Sequence, residues 1–134
     1  MATPEEMRKK IEDLKKSGYR IDTRLHPARA TVTWKGAVIA DSTRAVVLNE
    51  TRHNPVLYFP RSDARMDLMQ RTAHTTHCPF KGDASYFSLV SGKNRAENAV
   101  WSYEAPIPDV AAIRQHLAFY TKEMGADFGI EIAS

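Results

Sequence analysis

Ala30-Thr31-Val32-Thr33-Trp34 alternates apolar and polar side chains, Lys35-Gly36 interrupts it, and Ala37-Val38-Ile39-Ala40 follows. Side chains of a strand point to opposite faces in turn, so this pattern buries one face and wets the other. A two-residue break containing glycine between such runs predicts a β-hairpin. Further strands are expected at Ala45 to Leu48, Val56 to Phe59, Ala84 to Val90 and Ala99 to Tyr103, with Gly92-Lys93-Asn94 turning the last pair. Short strands separated by turns favour an antiparallel sheet. Ser62 to Met69 suits a short helix after Pro60, and Asp109 can cap another that runs through Arg114. The fold class is therefore mainly β with short helices, an α+β arrangement.

The N-terminus reads differently. Thr3 can cap a helix, Pro4 suits its first position and Glu6 stands where a capping box wants a carboxylate. Met7, Ile11 and Leu14 recur on one narrow stripe, and Ser17-Gly18 ends the segment. Residues 1–18 are expected to form an amphipathic helical extension to a single domain of residues 19–134. Its stripe needs a cover, from the domain or from a second copy of the chain, which opens a route to a homo-oligomer.

A chain of 134 residues that is 43% hydrophobic suffices for one domain with a real core. No run of apolar residues is long enough to cross a membrane as a helix, and the acidic start lacks the features of a signal peptide. A soluble, cytoplasmic protein is expected. Cys78 is the single cysteine, so no internal disulfide can form. The net charge of +3 arises from basic residues interleaved with acids rather than gathered in a stripe, which argues against nucleic acid as a partner. The densest basic run, Arg8-Lys9-Lys10 with Lys15-Lys16, alternates with Glu5, Glu6 and Glu12 as a solvated helix face does.

Unusual chemistry is concentrated between Leu48 and Tyr103. Three runs stand out there: Val56-Leu57-Tyr58-Phe59-Pro60-Arg61-Ser62-Asp63, His77-Cys78-Pro79-Phe80-Lys81-Gly82-Asp83-Ala84-Ser85-Tyr86-Phe87, and Val100-Trp101-Ser102-Tyr103-Glu104-Ala105-Pro106. In order and spacing, together with Ala40-Asp41-Ser42 to Glu50 upstream and Ala118-Phe119-Tyr120 downstream, they resemble domain-of-unknown-function family 427 of bacteria and fungi, over roughly residues 30 to 120. The resemblance implies a compact, mostly antiparallel domain similar to the β-tent fold of methionine-sulfoxide-R reductases and glutathione-dependent formaldehyde-activating enzymes. It implies no settled activity. Helical periodicity would let Val110, Ile113, Leu117 and Tyr120 extend the helix after Asp109, whereas the family pattern implies a strand from Leu117 to Tyr120.

His74 and His77 with Cys78 are the nearest approach to a metal site, but along an extended strand the two imidazoles point to opposite faces. A structural zinc site needs four ligands, and the paired cysteines of zinc-binding β-tent proteins are missing, so no metal and no cofactor is expected. Cys78 can serve as a nucleophile whose thiolate is favoured by His77 and Lys81, or as a small buried side chain. His77 with Asp63 offers an acid/base pair. Lys81-Gly82 lacks the glycines and the following Ser or Thr of a phosphate loop, and Gly82 suits a tight turn with positive φ. A glycine-serine loop with paired metal-binding aspartates, as nucleotidyltransferases carry, is also missing. His26, His53 and His116 lack comparable company.

Arg44, Glu50, Arg61 and Lys81 are the charged candidates for a ligand pocket near the His77-Cys78-Pro79-Phe80-Lys81-Gly82 loop, with Tyr58, Tyr86, Trp101 and Tyr103 as aromatic walls. The competing reading seals Trp101 and Tyr103 in the core and pairs Arg61 with Asp63 and Arg44 with Glu50. Three functions stay open: binding of a small anionic or polar ligand, with Trp101 stacking on it and Arg61 gripping it; a thiol-dependent or acid/base enzyme using Cys78, His77 and Asp63; and a protein-interaction module built on the N-terminal helix and the basic surface.

Overall fold

The computed structural model describes residues 5, 6, 8, 9, 12, 13, 18–120 and 128–132. The stripe Met7, Ile11 and Leu14 lies outside them. Within them ten strands form three antiparallel sheets: β1 (Ile21–Leu25), β2 (Ala30–Trp34), β3 (Ala37–Ser42), β4 (Val46–Glu50), β5 (Val56–Tyr58), β6 (Met69–Cys78), β7 (Gly82–Ser91), β8 (Asn94–Tyr103), β9 (Ala118–Phe119) and β10 (Phe128–Ile132). The sheet orders are β1-β4-β5, β10-β2-β3 and β6-β7-β8-β9.

The first hairpin forms as its pattern dictates. Ala30, Val32 and Trp34 are buried while Thr31 and Thr33 stay half exposed. Trp34 pairs with Ala37 across Lys35 and Gly36, both at positive φ (51° and 80°), the backbone that a two-residue hairpin loop requires. The two short helices expected after Pro60 and Asp109 form only as 3-10 turns. Instead of one helix from Ser62 to Met69, the chain makes two single 3-10 turns, Arg61–Asp63 and Met66–Leu68, and Met69 already opens a ten-residue strand. Pro108–Ile113 is likewise a 3-10 segment, which buries Val110 and Ile113, and β9 follows it as the family pattern implies.

The β6-β7-β8-β9 sheet serves two cores. On β7 and β8, Phe87 and Val100 are cross-strand partners facing one side, where Leu89, Phe59, Phe119 and the β2-β3 residues Val32, Trp34 and Ile39 gather. Tyr86 and Trp101 are partners on the other face, as are Ala84 and Tyr103, and these meet Val46, Leu48 and Tyr58 of the β1-β4-β5 sheet. Tyr58 and Phe59 are neighbours in sequence yet enter different cores, because an extended chain alternates its side chains. Paired backbone bonds of 2.8 Å between Phe59 and Leu117 carry the end of β5 alongside β9 and tie two sheets together.

Candidate functional site

An aromatic group occupies the second face of the central sheet. β8 supplies Trp101, β7 supplies Tyr86, β5 supplies Tyr58, and the residue after β9 is Tyr120. Trp101 is half-buried. Its ring lies 4.3 Å from that of Tyr120 and edge-on to Tyr58 at 6.4 Å, and its Nε1 donates to the Tyr58 hydroxyl at 3.3 Å. The rings of Tyr86 and Tyr120 are near parallel at 6.5 Å, with their hydroxyls 3.4 Å apart; Thr76 Oγ1 is 3.1 Å from the Tyr86 hydroxyl. His74 approaches the edge of Tyr86 at 4.5 Å. Tyr103 leans on Tyr58 at 6.3 Å, and burial pushes both phenols up from their ordinary range. Cys78, half-buried and with a free thiol, packs against this group.

The turn Pro79-Phe80-Lys81 between β6 and β7 carries the second group. Lys81 Nζ donates to Glu50 Oε1 at 3.0 Å, Tyr19 donates to Glu50 Oε2, and His53 Nε2 stands 3.8 Å from the same oxygen. Tyr19 also stacks on Phe80 at 4.7 Å, so the segment before β1 closes over this turn. Burial pushes the Glu50 carboxyl up, but the hydrogen bonds from Tyr19 and Lys81 outweigh it and leave it below its ordinary range. Lys81 is therefore a neutralised cation, with its ammonium 6.0 Å from the Tyr103 ring centroid.

The third group lies on the opposite face. Arg61 Nη2 donates to Ser102 Oγ at 3.1 Å and to Glu104 Oε2 at 3.2 Å, and its Nε donates to the Gln115 carbonyl at 2.8 Å. Arg71 grips Glu104 with two bonds of 2.8 and 2.6 Å, and Ser85 Oγ adds a third at 2.9 Å. The bonds from Arg71, opposed by burial and joined by those from Ser85 and Arg61, hold the Glu104 carboxyl down at about 2.

The structure thus gathers Tyr58, Tyr86, Trp101, Tyr103 and Cys78, brings Glu50 to Lys81, and separates the rest. Ser102 follows Trp101 on β8, so Arg61 and Trp101 sit on opposite faces and do not share one site as the sequence reading expects. His77 pairs at 2.6 Å with Asp83, its cross-strand partner on β7, rather than with Asp63. Asp63 accepts from Arg44 at 2.9 Å and from Ser42 at 2.7 Å, which also replaces the expected Arg61–Asp63 and Arg44–Glu50 pairs. Arg71, Glu104, Tyr19 and Tyr120 escaped the sequence reading as site residues. Glu104 carried a signal, as the charged residue that continues the Trp101-Ser102-Tyr103 run, and so did Tyr120, as the last residue of the Ala118-Phe119-Tyr120 run. Among the described residues, no three His, Cys, Asp or Glu side chains group as metal ligands, and no helix is long and apolar enough to cross a membrane.

Residues 22–128 match the family described as a domain of unknown function, DUF427. The chain belongs to the DUF427 family. Comparison with curated proteins gave no match. The matched span runs from β1 to the first residue of β10, so the aromatic face, the Glu50–Lys81 pair and the Arg61–Glu104–Arg71 cluster all lie within the DUF427 domain, while only Tyr19 comes from outside it.

Proposed function

We propose that the protein binds a small polar ligand bearing a planar group against the aromatic face of β7 and β8, beside the His77–Gly82 turn, in a cytoplasmic, β-tent-like domain of residues 19–134. The observation that carries this reading is the half-buried Trp101 between Tyr58 and Tyr120, with the hydroxyls of Tyr86, Tyr120 and Thr76 alongside. Aromatic walls with a few convergent hydrogen-bonding groups suit such ligands. Electrostatics refines the class. Lys81 is committed to Glu50 and Arg61 to the other face, so recognition here rests on stacking and phenol hydroxyls, and a ligand without strong negative charge fits best. Cys78 packs on the same face, which supports a thiol-dependent reaction as a second reading; loss of turnover in Cys78→Ser with binding retained would distinguish it.

A thermal-shift screen of small polar compounds, followed by fluorescence titration, tests the binding reading. The other tryptophan, Trp34, is sealed at 3% exposure, so a ligand-dependent emission change reports on Trp101. Trp101→Leu should remove that response and weaken binding about tenfold by calorimetry, with a smaller loss in Tyr86→Phe. Ligands that bind Trp101→Leu with unchanged affinity would refute it.

A further inference from the structure

The Arg61–Glu104–Arg71 cluster holds more positive charge than its partners use. Two guanidiniums meet one carboxylate, and among the described residues Glu104 is the sole carboxylate bonded to either. Both guanidiniums also lie over the Phe87 ring, at 5.5 and 5.0 Å from its centroid, so the two cations share one apolar floor. Neither is fully sealed: the Arg71 side chain is 49% exposed and that of Arg61 is 26% exposed. Their bonds to Glu104, Ser102 and Gln115 use Nε and Nη2 of Arg61 and both terminal nitrogens of Arg71, which leaves Arg61 Nη1 and Arg71 Nε without a hydrogen-bond acceptor among the described residues.

The surroundings hold this arrangement rigidly. Gln115 sits at φ 61°, in the left-handed region that a non-glycine residue adopts at a cost. In that conformation its carbonyl accepts from Arg61, its side-chain amide donates to the Glu104 carbonyl at 3.2 Å and its backbone N–H donates to Tyr103 at 3.1 Å. A strained turn therefore fixes both the cation and the backbone of its counter-ion. Ser85 and Ser102, cross-strand partners on β7 and β8, add hydroxyls on the same face.

We infer that Arg61 and Arg71 form an oxyanion-binding site on the face opposite the aromatic one, taking a phosphate or carboxylate group on the open edges of the two forks. Glu104 positions the forks and, by its own charge, limits the affinity. An oxyanion fits better than chloride because the free N–H groups are directional donors, and an anion with two or more oxygens can accept from both forks at once. This site shares no side chain with the aromatic face, so Trp101→Leu should leave it untouched.

The test titrates the full chain with inorganic phosphate, acetate and chloride at constant ionic strength, following the arginine Nε–H resonances by NMR. Phosphate should give a saturating shift of the Arg71 resonance that chloride does not; saturation by acetate as well assigns oxyanions generally, and phosphate alone assigns a phosphate group. Arg71→Lys keeps the charge but loses the fork and should weaken phosphate binding about tenfold. Glu104→Gln removes the competing charge and should tighten it. A non-saturating response shared with chloride, or a folded Glu104→Gln that binds no more tightly, overturns the site. Should Glu104→Gln fail to fold, unchanged phosphate affinity in Arg71→Lys overturns it alone.

Discussion

Lys81 Nζ stands 3.0 Å from Glu50 Oε1 with both side chains withdrawn from water, at 16% and 6% exposure. Removing one member of such a pair strands the other charge. Lys81→Met should therefore cost about 3–5 kcal/mol by urea denaturation, and a Glu50→Leu/Lys81→Met double variant should recover much of that loss. A Lys81→Met protein as stable as wild type would show the pair to be dispensable.

Acid stability should report on Glu104. Its folded carboxyl sits near 2, held down first by Arg71, against an unfolded value of about 4.3. A depressed carboxyl contributes stability that is fully present above the unfolded value and is lost as pH falls towards the folded one. Unfolding free energy measured between about pH 5 and pH 2 should fall with pH, and Glu104→Gln should flatten part of that slope. Equal slopes in both proteins would mean the carboxyl is not depressed.

His77 and Asp63 should act independently. Their partners are different, Asp83 for one and Arg44 with Ser42 for the other. A double-mutant cycle with His77→Gln and Asp63→Asn should give a coupling energy of zero within about 0.5 kcal/mol, with Asp63→Asn the more destabilising single change. Coupling above about 1 kcal/mol would restore the acid/base pair.

Gly82 should resist substitution. It adopts φ 114° at the end of the Cys78–Gly82 turn, and an added Cβ would meet the Ala105 carbonyl oxygen at 3.4 Å. Gly82→Ala should cost more than about 1 kcal/mol, chiefly through the backbone. Thermal melting checks it; a wild-type midpoint would place the strain elsewhere.

The legible part of the fold is the part whose burial is one-sided or complete. The hairpin of β2 and β3, the strands β4 and β5, and the inner strands β7 and β8 all have apolar runs bounded by turn residues, and all form. β6 is an edge strand exposed along most of its ten residues, so it offers no apolar period and its Thr and His side chains hid it. β1 and β10 are edges of their sheets as well. Within the site, the aromatic set Tyr58, Tyr86, Trp101 and Tyr103 was legible from its density, and Phe80-Lys81-Gly82 as a turn from its glycine.

The sequence by itself determined which residues supply the aromatic rings, where the turns of the strand hairpins fall and that neighbouring residues on one strand must part to opposite faces. Which charge meets which was decided only by tertiary structure. Arg61 lies two positions from Asp63, yet it reaches Glu104 and leaves Asp63 to Arg44, 19 positions away. Nearness along the chain favours a pair by very little when the backbone between the two is held in a turn, whereas strand pairing fixes side chains of distant segments within hydrogen-bond reach. Alternation then sets the outcome on β8: it gives Trp101 to the Tyr58 face and Ser102, with Arg61, to the Phe87 face.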